Sequence, residues 1–167
     1  MTARGEEAVV RITPFRPELA PAFDRLNRAW IASLFTLEPR DEEYLGDPQG
    51  HIIDQGGEIY FALDGNRVLG TCAAIPTGDG VVELAKLAVD PEAQGRGLGR
   101  ALAVAAIDFA RSRQARRLFL VSNSRLVPAL RLYASLGFQE LPFPGPRPYV
   151  DADVYMELEL GPNGSPA

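Results

Sequence analysis

The sequence predicts an α+β domain: a mixed, mostly antiparallel central sheet with helices on both faces and one parallel strand–helix–strand crossover. Three observations predict it. Strand-like runs joined only by tight turns follow one another from Ile52 to Val89. The apolar period then changes to that of a helix from Leu98, and a further strand-like run, Leu118–Ser122, comes after it. Finally, 167 residues suit one domain with its own core.

Taken in order, Val9 to Thr13 reads as a first strand. Pro17 suits a helix start, and Leu19, Phe23, Leu26 and Trp30 then form one apolar stripe. A short helix is expected from Asp41 to Leu45, ended by Gly46-Asp47-Pro48. His51 falls in a loop on this reading. The segment Ile52–Asp64 holds a strand centred on Ile59-Tyr60-Phe61-Ala62, and Asp64-Gly65-Asn66 is a hairpin signal. Arg67 to Ile75 returns, Pro76 to Gly80 turns, and Val81 to Val89 completes a three-stranded meander.

Asp90 to Gly97 then forms a loop and Leu98 to Arg113 a helix with Leu98, Leu102, Ala105 and Phe109 on one face. The order strand, helix, strand from Val81 to Ser122 requires a crossover between parallel strands, which is right-handed. Val127 to Leu136 reads as the last helix, with Gly137 placed to cap it. Two strands, Phe138–Phe143 and Asp153–Leu160, close the sheet. Residues 1–160 form one domain and 161–167 a frayed tail on this reading. Where the parallel unit diverges from the meander, the sheet is expected to open.

Composition narrows function. The net charge of -5 leaves no broad basic face, so nucleic acid is not an expected partner. No apolar run reaches membrane-spanning length and the amino terminus lacks a signal-peptide pattern, so a cytoplasmic protein is expected. With one cysteine, Cys72, and one histidine, His51, a thiolate–imidazole metal site is not expected. Cys72 lies in an apolar run and reads as a buried small residue; as a nucleophile it would need an adjacent base. The reading leaves a homodimer open.

The segment Gln94-Gly95-Arg96-Gly97-Leu98-Gly99-Arg100 joins a strand to a helix. Its glycines let successive N–H groups turn toward one point, and the helix start adds unpaired donors and a positive dipole end. Such a loop suits phosphate or pyrophosphate. A Walker A loop needs Gly-Lys-Ser/Thr, which is missing. A dinucleotide fingerprint starting at Gly95 needs glycine where Arg100 stands, and an acid near the end of the next strand, which reads Leu120-Val121-Ser122-Asn123. Gln94, Gly97 and Gly99 do fit Gln/Arg-x-x-Gly-x-Gly/Ala.

From about Glu83 to Phe138 the chain resembles the GNAT superfamily of acyltransferases. Glu83-Leu84-Ala85-Lys86-Leu87-Ala88-Val89-Asp90-Pro91 looks like its fourth strand, Gln94 to Arg100 like its pyrophosphate loop, and Ala129 to Phe138 like its last helix and following turn. The resemblance implies a GNAT-like sheet and acetyl-CoA (coenzyme A) as co-substrate. It also implies that the backbone of Leu87, Ala88 and Val89 pairs with the pantetheine arm, and that amides of Gln94, Gly95, Arg96, Gly97, Leu98, Gly99 and Arg100 hold the pyrophosphate. Many relatives carry an Asn seven residues before the tyrosine of the last helix. Here that position is Leu126, which leaves Asn123 as the candidate for that contact.

For an amine to attack a thioester, a base must take its proton, and an acid must meet the departing thiolate. Glu83 lies eleven residues before Gln94, the spacing of the carboxylate in the histone-type members of the resembled superfamily, and its strand neighbours are apolar. Burial would raise its pKa toward the working range. A carboxylate paired with Lys86 or an arginine is the structural alternative. Tyr133 is the candidate acid, or else a tyrosine packed on the inner face of its helix. Asn27, Trp30, Phe35, Tyr149, Asp151 and Asp153 are candidate walls of the acceptor pocket. The resulting expectation is an N-acetyltransferase acting on a primary amine; the alternative is an acyl-CoA-binding module without turnover.

Overall fold

The computed structural model describes residues 9–161; the expected tail lies outside them save Gly161. Seven strands form one sheet in the order β1-β2-β3-β4-β5-β7-β6. They are β1 (Arg11–Pro14), β2 (Glu58–Asp64), β3 (Arg67–Gly78), β4 (Val81–Val89), β5 (Arg117–Ser122), β6 (Gln139–Leu141) and β7 (Val154–Glu159). All pairs are antiparallel except β4–β5. Among the described residues four α-helices complete the fold: α1 (Ala20–Leu34), α2 (Pro39–Gly46), α3 (Leu98–Ser112) and α4 (Val127–Ser135). This is the mixed, mostly antiparallel architecture expected from the sequence.

Two apolar layers sandwich the sheet. On one side Leu98, Leu102, Ala106 and Phe109 of α3 pack with Leu69, Cys72, Val82, Leu84, Leu118 and Tyr133. On the other, Phe23 and Leu26 of α1 pack with Leu45, Ile59, Phe61, Ala73 and Ile75. The alternation along β3 and β4 divides their side chains between the two layers, as a strand covered on both faces must. Each fully buried Leu, Ile or Phe contributes about 1.5–3 kcal/mol relative to exposure.

Several boundaries differ from expectation for local reasons. The β3–β4 turn is Asp79-Gly80, with φ of 54° and 73°. Positive φ at both central residues matches the twist of a tight hairpin, and this draws Pro76–Gly78 into β3, where Gly78 pairs with Val81. His51 does not sit in a loop but in a wide helical turn, Gln49–Ile53, closed by Asp54 N–H donating to Gln49 O at 2.8 Å. Residues 52–57 are therefore not strand. β6 spans only three residues because Pro142 brings no N–H to the ladder.

The β4–β5 pair positions the site. Its register covers only Val81–Glu83 against Arg117–Phe119. Beyond Glu83 the two strands part, and the β5-facing edge of β4 from Leu84 to Val89 has no strand beside it. The register of β4 against β3 also slips between Ala85 and Ala88. Lys86 sits in that slip with φ 56°, a left-handed conformation unusual for a residue with a side chain. The expected opening thus lies where the parallel unit leaves the meander.

Candidate active site

A cavity of about 720 Å³ fills this opening. Of the catalytic and cofactor-binding residues expected from the sequence, all but Arg96 line it: Glu83, Leu87, Ala88, Val89, Gln94, Gly95, Gly97, Leu98, Gly99, Arg100, Asn123 and Tyr133. From Glu83 to Val89 it follows β4 for about 20 Å, six steps of ~3.3 Å.

The glycine loop forms one end. Gly95 and Gly97 hold φ of 82° and 77°, and no atom lies within 4 Å of where a Cβ would stand. The left-handed turn aims the amides outward and leaves the approach clear. Gly97 caps α3, its carbonyl accepting from Ala101 N–H at 3.1 Å. The free N–H groups of this helix start and its dipole face the loop. Arg100 donates to Ser135 Oγ, tying α3 to the end of α4.

Glu83 is 6% exposed. It pairs across β4 with Ile75 and Phe119, and Ile75 belongs to the α1-side layer. Burial pushes its carboxyl up from the usual range, and the charges of Arg40 and Lys86 oppose that rise. It forms no salt bridge among the described residues: Lys86, the partner considered from the sequence, turns to Asp41 of α2 instead. That pair is buried, with side chains 8% and 6% exposed. Asp41 also accepts from Glu38 N–H at 2.9 Å, within the capping box that starts α2.

Tyr133 reaches the cavity from the α3 side. Its place is set by the end of α4. Phe138 N–H donates to Tyr133 O and Gly137 N–H to Ala134 O, both at 3.1 Å, around Gly137 at φ 100°. This is a Schellman cap, and its apolar contact is the edge-on packing of Tyr133 and Phe138, centroids 6.0 Å apart. Burial pushes the phenol up, so it stays protonated at neutral pH. Glu83 and Tyr133 therefore address the cavity from opposite faces of the sheet. Cys72 is fully buried and burial holds its thiol well above the usual range, which removes it as a nucleophile.

Asn123 lines the cavity, yet both ends of its amide are engaged. Nδ2 donates to Asp151 O at 2.6 Å and Oδ1 accepts from Arg125 N–H at 2.8 Å, in the turn before α4. At the far end the walls are Trp30, Leu34, Phe35, Tyr149 and Asp151. Asn27 is not a wall: it is fully buried and accepts from Trp30 Nε1 at 3.2 Å. Asp153 is turned to Ser124, at 2.8 Å from both its N–H and its hydroxyl. Sequence reasoning missed the Asp41–Lys86 pair and the cations over Tyr149, Lys86 at 5.1 Å and Arg40 at 5.8 Å. No periodicity joins residues 45 apart in the chain.

Among the described residues no cluster of three or more His, Cys, Asp or Glu could hold a metal ion, and no helix is long and apolar enough to cross a membrane.

Comparison with known proteins agrees with this architecture. A mycothiol acetyltransferase from Acidothermus cellulolyticus is 34% identical over 114 residues, covering 64% of this chain and 35% of that protein. Rat N-acetyltransferase 8B is 29% identical over 97 residues, covering 55% and 44%. The chain thus spans less than half the length of these curated relatives. Among solved structures, a GNAT-family acetyltransferase from Staphylococcus aureus superposes with a TM-score of 0.79 at 16% identity, covering 89% of this chain and 98% of that one. A Salmonella typhimurium protein solved with its cofactor acetyl-CoA gives 0.73 at 22% identity, covering 95% and 98%. These last two likenesses carry the fold. The model of the acetyltransferase (GNAT) family matches residues 20–138, most of the chain, and the chain belongs to that family.

Proposed function

We propose that this protein is an N-acetyltransferase moving the acetyl group of acetyl-CoA to a primary amine by direct attack. The observation that carries the reading is the unpaired edge of β4, with a glycine-capped helix start at one end and the Glu83–Tyr133 pair along it. The edge offers backbone N–H and C=O groups to the pantetheine arm, which would lie beside Leu87, Ala88 and Val89 as an added strand. The amides from Gln94 to Arg100 would hold the pyrophosphate. The residues fit the co-substrate because nothing occupies the Cβ positions of Gly95 and Gly97.

Bound there, acetyl-CoA supplies an activated acyl group. Glu83 accepts the ammonium proton, directly or through water, since only the neutral amine has a lone pair. Its raised pKa brings a carboxylate closer to the basicity the task needs. Tyr133 O–H donates toward the sulfur as the C–S bond breaks, and its burial keeps that proton in place at neutral pH. Entry from opposite faces keeps the two proton transfers apart.

The test is free-thiol release from acetyl-CoA across a broad amine panel, together with calorimetric binding of acetyl-CoA. Amine-dependent thiol release is the expected result. Binding without release under any amine would leave an acyl-CoA-binding module. No binding of acetyl-CoA, with ATP or NADH binding instead, would overturn the assignment.

A further inference from the structure

We infer that the acceptor is a small primary amine carried on an apolar, ring-sized body without an anionic group, and that it enters end-on. This rests on the acetyltransferase reading above and names the substrate class of that same site.

The first argument is the wall. Trp30, Leu34 and Phe35 line the acceptor end of the cavity. Trp30 and Phe35 meet edge to face with centroids 6.2 Å apart. The indole is fixed by its Nε1–H bond to Asn27, whose own Nδ2 donates to Phe23 O at 3.0 Å inside the core. A rigid aromatic corner of this kind gains most from a flat apolar body.

The second is the charge left free. Lys86 faces this end but is committed to Asp41 and the Tyr149 ring. Arg125 is committed to Leu34 O at 2.7 Å and lies 4.9 Å from the Phe35 ring centroid. Arg40 lies against Tyr149 at 5.8 Å but, like Arg125, is not part of the lining, so an acceptor carboxylate or phosphate would meet no uncommitted cation among the described residues that line this end. Asp151, by contrast, lines the cavity, and its carbonyl is pinned by Asn123. Its carboxylate, in no salt bridge among the described residues, suits an arriving ammonium.

The third is access. At the acceptor end of the cavity the chain around the end of α1 and the start of α2 is tied to the segment before β7 and to the turn before α4. Val150 N–H donates to Glu38 Oε2 at 3.1 Å, Arg40 and Lys86 both lie over Tyr149, and Arg125 holds Leu34. A polypeptide laid across this end would have to break these ties, whereas a small amine need displace none of them.

The experiment compares kcat/KM for 2-phenylethylamine and tryptamine with that for phenylalanine, tryptophan, spermidine and a lysine-containing hexapeptide, at saturating acetyl-CoA. The aryl amines should exceed their amino acids by about 100-fold or more, since the extra carboxylate is desolvated without a counter-charge. Peptide and spermidine should be poorer still. Trp30→Ala should raise KM for 2-phenylethylamine about tenfold or more with the KM of acetyl-CoA unchanged. Asp151→Asn should raise the same KM.

Equal or better turnover of the amino acids, the peptide or spermidine overturns this inference and leaves the acetyltransferase reading standing. So does binding of acetyl-CoA with no turnover of either aryl amine. Failure of acetyl-CoA to bind at all is the separate result that removes the acetyltransferase reading.

Discussion

The Asp41–Lys86 pair joins α2, beside the acceptor end, to the irregular point of β4, and its removal makes a quantitative prediction. Both side chains are less than a tenth exposed. Lys86→Met keeps most of the stem volume and deletes the charge, leaving the Asp41 carboxylate buried without its counter-ion. Breaking a buried pair from one side costs about 3–5 kcal/mol. For a domain of this size ~1 kcal/mol moves Tm by about 2–4 °C, so the variant should melt roughly 6–20 °C lower. Two further variants apportion the loss. Asp41→Leu with Lys86→Met removes both charges and should recover most of it, short of about 1 kcal/mol for the lost cap at Glu38. Lys86→Gly loses the same pair but accepts φ 56° without a Cβ clash, so it should be about 1 kcal/mol more stable than Lys86→Met. Paired thermal and urea melts measure all three. A Lys86→Met protein within 2 °C of the parent, or a double variant no better than the single, would refute the view that this contact braces the strand.

Four other perturbations follow from the structure. Tyr133→Phe should lower turnover by about 10²–10⁴ while acetyl-CoA binding and Tm hold, as calorimetry and melting on one sample would show; full activity would leave water as the proton donor. Glu83→Gln should lower turnover least at high pH, where the amine deprotonates itself, and an unchanged pH–rate profile would demote Glu83 to structure. The same variant tests the sign of burial. Glu83's folded pKa is raised, so the native state binds more protons than the unfolded chain between the two values, and stability falls as pH rises through that window; Glu83→Gln should therefore melt higher than the parent above it, and a lower Tm on the alkaline side of that window would contradict this. Gly97→Ala places a Cβ at φ 77° in open space, so it should cost about 1–2 kcal/mol from backbone strain and weaken acetyl-CoA binding, read by melting and calorimetry separately. Thr71 is fully buried with its hydroxyl unpartnered, so Thr71→Val should stabilise by about 1 kcal/mol in urea titration.

The sheet and the glycine-loop end of the cavity are legible in the sequence because both depend on short-range signals. Gly95 and Gly97 sit where a strand meets a helix, and Gly137 follows a helical stripe; each glycine marks a positive φ that the structure contains. β4 was bounded correctly because an apolar run ended at Asp90-Pro91. The far end of the cavity, the proposed acceptor end, is less legible. Asn27 and Asp153 have the polarity of pocket residues, but one supports Trp30 from the core and the other holds Ser124. Which way such a side chain turns depends on partners brought together only by folding. The same holds for Lys86, whose choice of Asp41 over Glu83 is set by the placement of α2. The strand expected within Ile52–Asp64, centred on Ile59-Tyr60-Phe61-Ala62, forms as β2 but starts only at Glu58, because helical and extended readings of the short apolar run before it differ little until neighbours pack.

The early parting of β4 and β5 has a consequence for how this sequence can change over time. An edge that presents main-chain groups asks little of the residues that carry it, since any amino acid except proline supplies the same N–H and C=O. Leu87 and Val89 are thus free to drift among residues that suit their layers without altering what the edge offers. The glycines of the adjoining loop have no such freedom, because their torsions exclude most side chains. Variation accumulating in this region should therefore be uneven: permissive along the strand, narrow at the turn, and widest around the far pocket, where a new acceptor can be accommodated by changing walls alone.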